Sequence, residues 1–325
     1  MPRLWCHFAW PLLAASLLFG CHSKPQRPSQ PSAKSETTEL VLWPGAAPGS
    51  EGLGLKELTT ERSLNPKLHD RAITGISKPS LTAYVPEHPN GSALIVAVGG
   101  AYVREAWDKE GVDTARFFVS KGTTVFLLKY RLPGEGHQHR SDVPLQDAQR
   151  AVRLVRARAP SFHVDAARIG VMGFSAGGHL ASLLGSKFAN KVYEPVDAAD
   201  GLDARPDFLI LLYPVVSMED PIAHAQSRRA LLGDAPSEDV RVAYSADRAV
   251  TRANPATLIL LAGDDTAVLP ENSLRYYRAL VAAGVSVELH VYERGGHGFG
   301  LRSPPGSAVE GWAELAAKWI SRRGS

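Results

Sequence analysis

The segment GFSAG, residues 173–177, places Ser175 between two glycines, with an apolar run before it and a helix-like run after it. This order predicts a strand, a sharp turn and a helix, with the serine hydroxyl held out at the end of a sheet. The glycines suit such a turn because side chains there would meet the neighbouring strand and helix. Ser175 is therefore a candidate nucleophile for acyl transfer.

A serine hydroxyl is a weak nucleophile at neutral pH, so it needs a histidine base that a carboxylate orients. In enzymes built on this kind of turn, the acid and then the histidine follow the serine along the chain. His297 follows the apolar run VELHVYE and stands among glycines in RGGHGFG, which makes it the predicted base. The acid is expected after the preceding run, TLILLAG, where Asp264 and Asp265 are adjacent candidates. His179, one helical turn after the serine, is predicted to pack or cap instead.

The loop after the apolar run ALIVAV is predicted to complete an oxyanion hole. During acyl transfer the carbonyl oxygen gains negative charge, which backbone N–H groups must stabilise. The segment VGGAY, residues 98–102, contains two glycines that let the backbone approach a substrate closely. We therefore expect Gly100 or Ala101 to donate one hydrogen bond and Ala176 to donate the other.

Short apolar runs alternate with amphipathic runs from residue 40 onward. Continuous apolar runs indicate strands buried on both faces, and they are ALIVAV, TTVFLLKY, RIGVMGF, FLILLYPVV, TLILLAG and VELHVYE. Between them, Leu145, Val152 and Val155 recur at helical spacing, and Arg150 is predicted to lie on the solvated side of that helix. The alternation predicts an α/β fold with a mostly parallel central sheet, helices on both faces, and a site at the carboxyl ends of the strands.

Two other parts of the chain give weaker signals. The short runs AITGI, from Ala72, and LTAYVP, from Leu81, are predicted to form the antiparallel edge of the same sheet. Residues 187–205 and 217–252 lack strong periodicity, so we expect loops or small helices there that cover the site.

Composition limits the remaining possibilities. The 325 residues include 36 basic and 33 acidic side chains, a formal charge of +3 that is too weak to recruit nucleic acid. The two cysteines are Cys6 and Cys21, so the part of the chain after them has no disulfide, thiolate zinc site or cysteine nucleophile. The chemistry predicted above needs no metal and no organic cofactor. The sequence leaves the oligomeric state open.

The first residues are predicted to direct export. A mostly apolar run over residues 8–19 follows Arg3 and is too short to span a bilayer. Leu18-Phe19-Gly20-Cys21 resembles a bacterial lipobox. Residues 1–21 are therefore predicted to be a lipoprotein-type signal, with Cys21 as the lipid attachment site. The alternatives are an ordinary cleaved signal peptide and an uncleaved anchor. Residues 22–39, rich in Pro, Ser and Lys, are predicted to tether a catalytic domain at 40–325 to the cell envelope, on the periplasmic side or surface of the outer membrane.

An ordered set of motifs resembles the bacterial α/β-hydrolases that are grouped with acetylxylan esterases, often labelled xylanases or lipases. The motifs are VLWPGAAPG, GGAYVREAWDKEG, LLKYRLP, LQDAQRAVRLVR, GVMGFSAGGHLAS, LAGDDTAVLPENS and ERGGHGFG. The family places its acid in a Gly-x-x-Asp-x-x-Val pattern, with which Asp265 aligns. The resemblance therefore implies a triad of Ser175, Asp265 and His297, and leaves Asp264 as a turn residue.

The resemblance also implies a reaction, the removal of small acyl groups, chiefly acetyl, from sugar hydroxyls. Aromatic rings can stack on sugars, so Tyr102, Trp107 and Phe299, which flank the oxyanion loop and the base, are predicted to contact substrate. A general or feruloyl carboxylesterase is the main alternative. A formamidase, a peptidase or a binding protein without catalysis are further alternatives.

Overall fold

The computed structural model describes residues 1–2 and 37–323. The fold lies within one compact unit, Ser35–Ser325. The predicted signal segment with Cys21, and most of the predicted tether, lie outside the described residues.

Strands in the described residues form a large sheet and a small one. In chain order they are β1 (Thr37–Val41), β2 (Leu58–Glu61), β3 (Arg71–Thr74), β4 (Ser80–Tyr84), β5 (Gly91–Ala97), β6 (Glu105–Ala106), β7 (Thr124–Lys129), β8 (Val164–Phe174), β9 (Phe208–Leu212), β10 (Ala256–Ala262) and β11 (Val287–Tyr292). The large sheet has the order β1-β4-β7-β5-β8-β9-β10-β11. Strands β7, β5, β8, β9, β10 and β11 pair in parallel, whereas β4 and β1 pair antiparallel at one edge. The predicted mostly parallel sheet is confirmed.

Helices cover both faces of this sheet. They are α1 (Asp113–Val119), α2 (Val143–Ala157), α3 (Ala176–Lys187), α4 (Ala225–Leu232), α5 (Glu238–Ala243), α6 (Glu271–Ala282) and α7 (Trp312–Ser321). Side chains of α2, α3 and α6 join one core cluster, and those of α1 and α7 join a second cluster. The central strands β5, β7, β9 and β10 are almost fully buried, and neighbouring residues such as Val96 and Ala97 alternate between the two clusters. Among the described residues, every helix is too short or too polar to span a bilayer.

The edge of the sheet corrects two sequence-based expectations. Strand β3 does not join the large sheet; it pairs antiparallel with β2 and β6 in a separate three-stranded sheet. The chain turns away between β3 and β4 because Gly75 adopts a φ of +68° in close contact with the backbone of Lys56. Strand β1 begins at Thr37, inside the predicted tether, because Thr37, Thr38 and Glu39 pair with β4.

Helix α2 gives a third correction. Arg150 is 1% exposed rather than solvated, and its guanidinium pairs with Asp197 and Asp200 (3.0 Å to Asp200). Asp200 belongs to a short 3₁₀ turn inside the segment 187–205. A buried cation needs such partners, so these ion pairs hold that segment on α2.

The functional loops follow from the sheet topology. Strands β5, β8, β10 and β11 are parallel, so their carboxyl ends lie at one edge of the sheet. The chain leaves these four ends at residues 98, 175, 263 and 293. The four segments predicted to carry the chemistry therefore share one edge.

Candidate active site

Ser175 lies between the last residue of β8 and the first residue of α3, with φ of 51° and ψ of −114°. This is a strained conformation for a residue with a side chain. A Cβ on Gly173 would lie 2.2 Å from the carbonyl oxygen of Gly177, and a Cβ on Gly177 would lie 2.2 Å from that of Ala97. Both glycines are therefore required for the turn that exposes the hydroxyl at the end of β8.

A chain of hydrogen bonds joins the three residues predicted as the triad. The Oγ of Ser175 lies 2.8 Å from Nε2 of His297, and Nδ1 of His297 lies 2.7 Å from Oδ2 of Asp265. Asp265 is 3% exposed, and its Oδ1 accepts the N–H groups of Ala267 and Val268. These bonds fix the carboxylate, so the imidazole donates from Nδ1 to Asp265 and accepts the serine proton at Nε2.

Asp264 has a different set of contacts. Its Oδ1 accepts the N–H groups of Gly295 and Gly296, at 2.9 and 2.8 Å, in the loop that precedes His297. The two neighbouring carboxylates therefore have different partners: Asp265 contacts the imidazole of His297, and Asp264 holds the backbone of the loop that precedes it.

The loop after β5 supplies the expected backbone donors. Gly100 has a φ of +131°, and a Cβ there would lie 2.1 Å from the carbonyl oxygen of Arg104. Ala101 and Tyr102 follow with φ of 57° and 62°, which is strained for residues with side chains. Within residues 37–323, the N–H groups of Gly100, Ala101 and Ala176 have no hydrogen-bond acceptor. They are thus available for a carbonyl oxygen of a substrate.

Glu110, which belongs to the motif GGAYVREAWDKEG, is a buried carboxylate behind this loop. Its Oε2 accepts the N–H of Gly99 at 2.7 Å, and its Oε1 accepts the hydroxyl of Tyr213 at 3.1 Å. Burial raises the pKa of Glu110, while the two hydrogen bonds and the nearby charge of His297 oppose that rise. The ring of Tyr213 packs edge-on against that of His297, with centroids 5.0 Å apart. Glu110 therefore connects the oxyanion loop with the base.

Two of the residues predicted to contact substrate have rings that pack in the core. Tyr102 is 1% exposed, and its hydroxyl bonds Nδ1 of His179. Phe299 is 5% exposed and packs edge-on against Tyr213 at 4.6 Å. Trp107 is partly exposed between the two core clusters. Contact of these three residues with substrate stays a prediction.

His179 is buried, as expected for a residue that packs. Its Nε2 donates to the carbonyl oxygen of Tyr244 at 2.7 Å, and its Nδ1 accepts from Tyr102 at 2.8 Å. Burial lowers the pKa of His179 to about 4, so the ring is neutral at neutral pH. The neutral ring joins α3, the oxyanion loop and the residue that ends α5.

His224 is a residue that sequence reasoning missed. It precedes α4, and its Nδ1 accepts the N–H of Ser227. The pKa of His224 is lowered, first by burial and then by the charge of His297, while Asp265 raises it. The segment 217–252 contacts the helix that follows the nucleophile, because the carbonyl oxygen of Tyr244 accepts a hydrogen bond from His179. A lone histidine in a stretch without periodicity gave no signal for this position.

Comparison with curated proteins identifies relatives that match part of their own length. A family model described as the α/β-hydrolase fold matches residues 94–301. An acetylxylan esterase of Xylanibacter ruminicola is 33% identical over 228 residues, which are 69% of this chain and 44% of that protein. An endo-1,4-beta-xylanase B of Butyrivibrio fibrisolvens is 31% identical over 221 residues, 68% of this chain and 34% of that protein. The chain thus spans less than half the length of these two relatives.

Among solved structures, an acetyl ester-xyloside bifunctional hydrolase from Caldicellulosiruptor lactoaceticus matches with a TM-score of 0.70 and 34% identity. The match covers 88% of this chain and 98% of that chain. The region matched by the family model contains Ser175, Asp265 and His297. It extends from β5 to the loop after β11. The family expected from the motifs is confirmed: the chain belongs to the α/β-hydrolases.

Proposed function

We propose that the chain is a serine esterase that removes small acyl groups, chiefly acetyl, from the hydroxyls of carbohydrates such as acetylated xylan. The observation that carries this proposal is the hydrogen-bonded order Ser175, His297, Asp265 beside backbone N–H groups that have no acceptor among the described residues. The names of the relatives, an acetylxylan esterase and an acetyl ester-xyloside hydrolase, support the choice of acyl group and alcohol.

The geometry supports a two-step mechanism. In the first step, Oγ of Ser175 attacks the acyl carbon while Nε2 of His297 takes the serine proton, and the N–H groups of Ala176 and of Gly100 or Ala101 stabilise the oxyanion. His297 then gives the proton to the departing sugar oxygen, which leaves an acyl-serine. In the second step, a water loses its proton to His297 and attacks the acyl carbon. The bond from that carbon to Oγ of Ser175 then breaks, His297 returns the proton to Oγ, and the carboxylic acid leaves.

Each buried partner has a defined part in these steps. Asp265 fixes the tautomer of His297 and stabilises the imidazolium that forms when the serine proton is transferred. Removing one oxyanion donor costs on the order of 3–4 kcal/mol of transition-state stabilisation in enzymes of this kind. These steps use side chains and backbone groups of the chain itself.

The test is release of acetate from acetylated xylan, measured beside turnover of aryl acetate, butyrate, octanoate and ferulate esters. We expect the unmodified protein to favour the acetyl esters and the Ser175→Ala variant to be folded and inactive on all of them. Esterase activity in the Ser175→Ala variant would refute the assigned nucleophile. A strong preference for octanoate would refute the acetyl-carbohydrate assignment.

The ester assay, together with amide substrates and a fluorophosphonate label, separates the alternatives. Preference for the ferulate ester would identify a feruloyl esterase, and equal turnover of all the aryl esters would identify a general carboxylesterase. A formamidase or peptidase would hydrolyse amides faster than esters. A protein that binds without catalysis would fail to label at Ser175 with a fluorophosphonate, because that reagent requires the activated hydroxyl.

The site of action is a separate proposal, which the Leu18-Phe19-Gly20-Cys21 pattern supports. The protein is exported and carries lipid on Cys21, and the following Pro- and Ser-rich residues tether the catalytic domain to the cell envelope. Incorporation of labelled fatty acid in a bacterial host tests this. Label is expected in the unmodified protein and in the Cys6→Ala control, but not in Cys21→Ala. Equal labelling of both variants would exclude lipidation at Cys21.

A further inference from the structure

A cavity of about 450 Å³ lies beside the loop that carries the predicted oxyanion donors. Its wall includes Val103, whose N–H donates to the carbonyl oxygen of Gly100 in that loop at 3.1 Å. The wall also includes Ala225, the first residue of α4, in the segment 217–252. The cavity is therefore bordered by the oxyanion loop and by helix α4.

Arg140 contributes a cation to this cavity without a matching anion. One of its terminal nitrogens, Nη2, donates to the carbonyl oxygens of Arg229 and Ala230 at the end of α4, which holds the guanidinium in place. Its Nε is buried without an acceptor, and its Nη1 lies 3.8 Å from the position that a Cβ on Gly233 would take. Within residues 37–323, no carboxylate lies within ion-pair distance of Arg140.

The two arginines that are fully buried in the described residues, Arg131 and Arg150, do have acid partners. Arg131 pairs with Asp147 at 2.8 Å, and both side chains are fully buried. The carboxylate that lines the cavity, that of Asp234, pairs with Arg229 at 3.1 Å, so it does not neutralise Arg140. The cavity therefore carries a net positive charge from Arg140.

A second cation lies near the base. The Nζ of Lys109 is 3.9 Å from the position of a Cβ on Gly298, the residue after His297, and Lys109 has no ion pair among the described residues. An unpaired cation in the cavity and another near the base favour a substrate that carries negative charge. A guanidinium with free N–H groups matches a carboxylate in geometry as well as in charge.

We propose that the cavity is a subsite for a carboxylate-bearing sugar, a uronic acid branch on the acetylated carbohydrate, with Arg140 as the residue that binds the carboxylate. This inference rests on the proposed function, because the branch belongs to the alcohol part of the ester. A volume of about 450 Å³ admits one pyranose ring together with water. Arg140 is then a specificity-determining residue that acts on the binding of one class of substrate.

The test compares acetylated xylo-oligosaccharides that carry a glucuronic acid branch with the same material after enzymatic removal of the branch. We expect the unmodified protein to show about tenfold higher kcat/KM on the branched substrate, mainly through a lower KM, as one hydrogen-bonded charge pair implies. Arg140→Gln is expected to abolish this preference and to leave aryl acetate turnover within about twofold. Arg229→Gln is the matched control, since Arg229 lines the same cavity but is exposed and already paired.

A binding measurement in the Ser175→Ala background keeps the test independent of turnover. The branched oligosaccharide is expected to bind about tenfold more tightly than the unbranched one, and the difference is expected to shrink as salt is added. Equal binding and equal turnover of the two substrates by the unmodified protein would overturn the subsite, even if Arg140→Gln failed to fold.

The outcomes also separate this proposal from the one on which it rests. Equal release of acetate from branched and unbranched material would refute the subsite and leave the carbohydrate esterase intact. Hydrolysis of aryl acetate with no release from either oligosaccharide would refute both. A preference for the branched substrate that survives in Arg140→Gln would refute the role of Arg140.

Discussion

The carboxylate of Glu110 accepts the backbone N–H of Gly99 at 2.7 Å, and this bond fixes the strand end that leads into the oxyanion loop. The same carboxylate accepts the hydroxyl of Tyr213, whose ring packs on His297. A Cβ on Gly99 would lie 2.9 Å from Cβ of Ser175, so this backbone is also in contact with the nucleophile. One buried side chain thus sets the distance between the oxyanion donors and the base.

We expect Glu110→Gln to lower kcat on aryl acetate by on the order of 10- to 100-fold, with KM little changed. The amide offers one acceptor oxygen for the two donors that the carboxylate serves, so either the loop or Tyr213 must shift. Tyr213→Phe is the control, because it removes one of the two bonds and keeps the ring beside His297, and its effect should be smaller. An unchanged kcat in a folded Glu110→Gln variant would show that the carboxylate does not position the site.

The adjacent carboxylates Asp264 and Asp265 are expected to respond very differently to the same substitution. Asp265→Asn should lower kcat by on the order of 10³- to 10⁴-fold, because the amide favours the wrong tautomer of His297. Asp264→Asn should lower it by less than about tenfold, since the amide oxygen can still accept from Gly295 and Gly296. Steady-state rates and melting curves of both variants are the measurement. Greater loss in Asp264→Asn would reverse the assignment of the acid.

Gly100→Ala is expected to inactivate the protein without necessarily unfolding it. The added methyl group would meet the carbonyl oxygen of Arg104 at 2.1 Å, in a backbone conformation that costs ~1–3 kcal/mol for a residue with a side chain. The loop must therefore move, and the backbone donors move with it. Gly54→Ala is the control, because nothing lies within 4 Å of a Cβ there and Gly54 is not left-handed. Full activity in Gly100→Ala would show that the loop does not supply the oxyanion donor.

His179 is expected to make the fold sensitive to acid. Its pKa of about 4 in the folded state is below the usual value of 6.5. Between pH 4 and pH 6.5, the imidazole therefore binds a proton in the unfolded chain but not in the folded protein. The stability contributed by the neutral ring is complete above pH 6.5 and falls by up to ~3 kcal/mol as the pH drops to 4. Urea unfolding of the unmodified protein and of His179→Gln at pH 7.5 and 4.5 tests this. The difference between the two free energies should narrow at pH 4.5; an unchanged difference would contradict the prediction.

The parts of the site that could be predicted from sequence are those with a strong local pattern. Ser175 and His297 each follow an apolar strand and stand among glycines, and parallel pairing then brings their loops together at one edge of the sheet. The choice between Asp264 and Asp265 needed a family pattern, since both follow the same strand. Only contacts distinguish a carboxylate that bonds an imidazole from one that bonds backbone.

The contacts that sequence reasoning does not predict join distant segments of the chain. Glu110 meets Tyr213 across 103 positions, and Arg150 meets Asp197 across 47. The periodicity of a single helix or loop gives no information about a partner in another segment. In the sequence pattern, a polar residue that is buried with a partner therefore looks the same as a solvated one. The bond between Tyr102 and His179, across 77 positions, is another contact of this kind.

The position of β11 has a consequence for how the protein fails on heating. This strand is the last of the large sheet; β10 is its partner, and no strand of the described residues pairs with its other side. Its residues are mostly half-buried, whereas those of β10 are almost fully buried. Edge strands fray at a lower cost in free energy than the centre of a sheet. Because His297 is carried by the segment after β11, the proton acceptor lies next to an edge strand, and thermal inactivation should begin several degrees before the core melts.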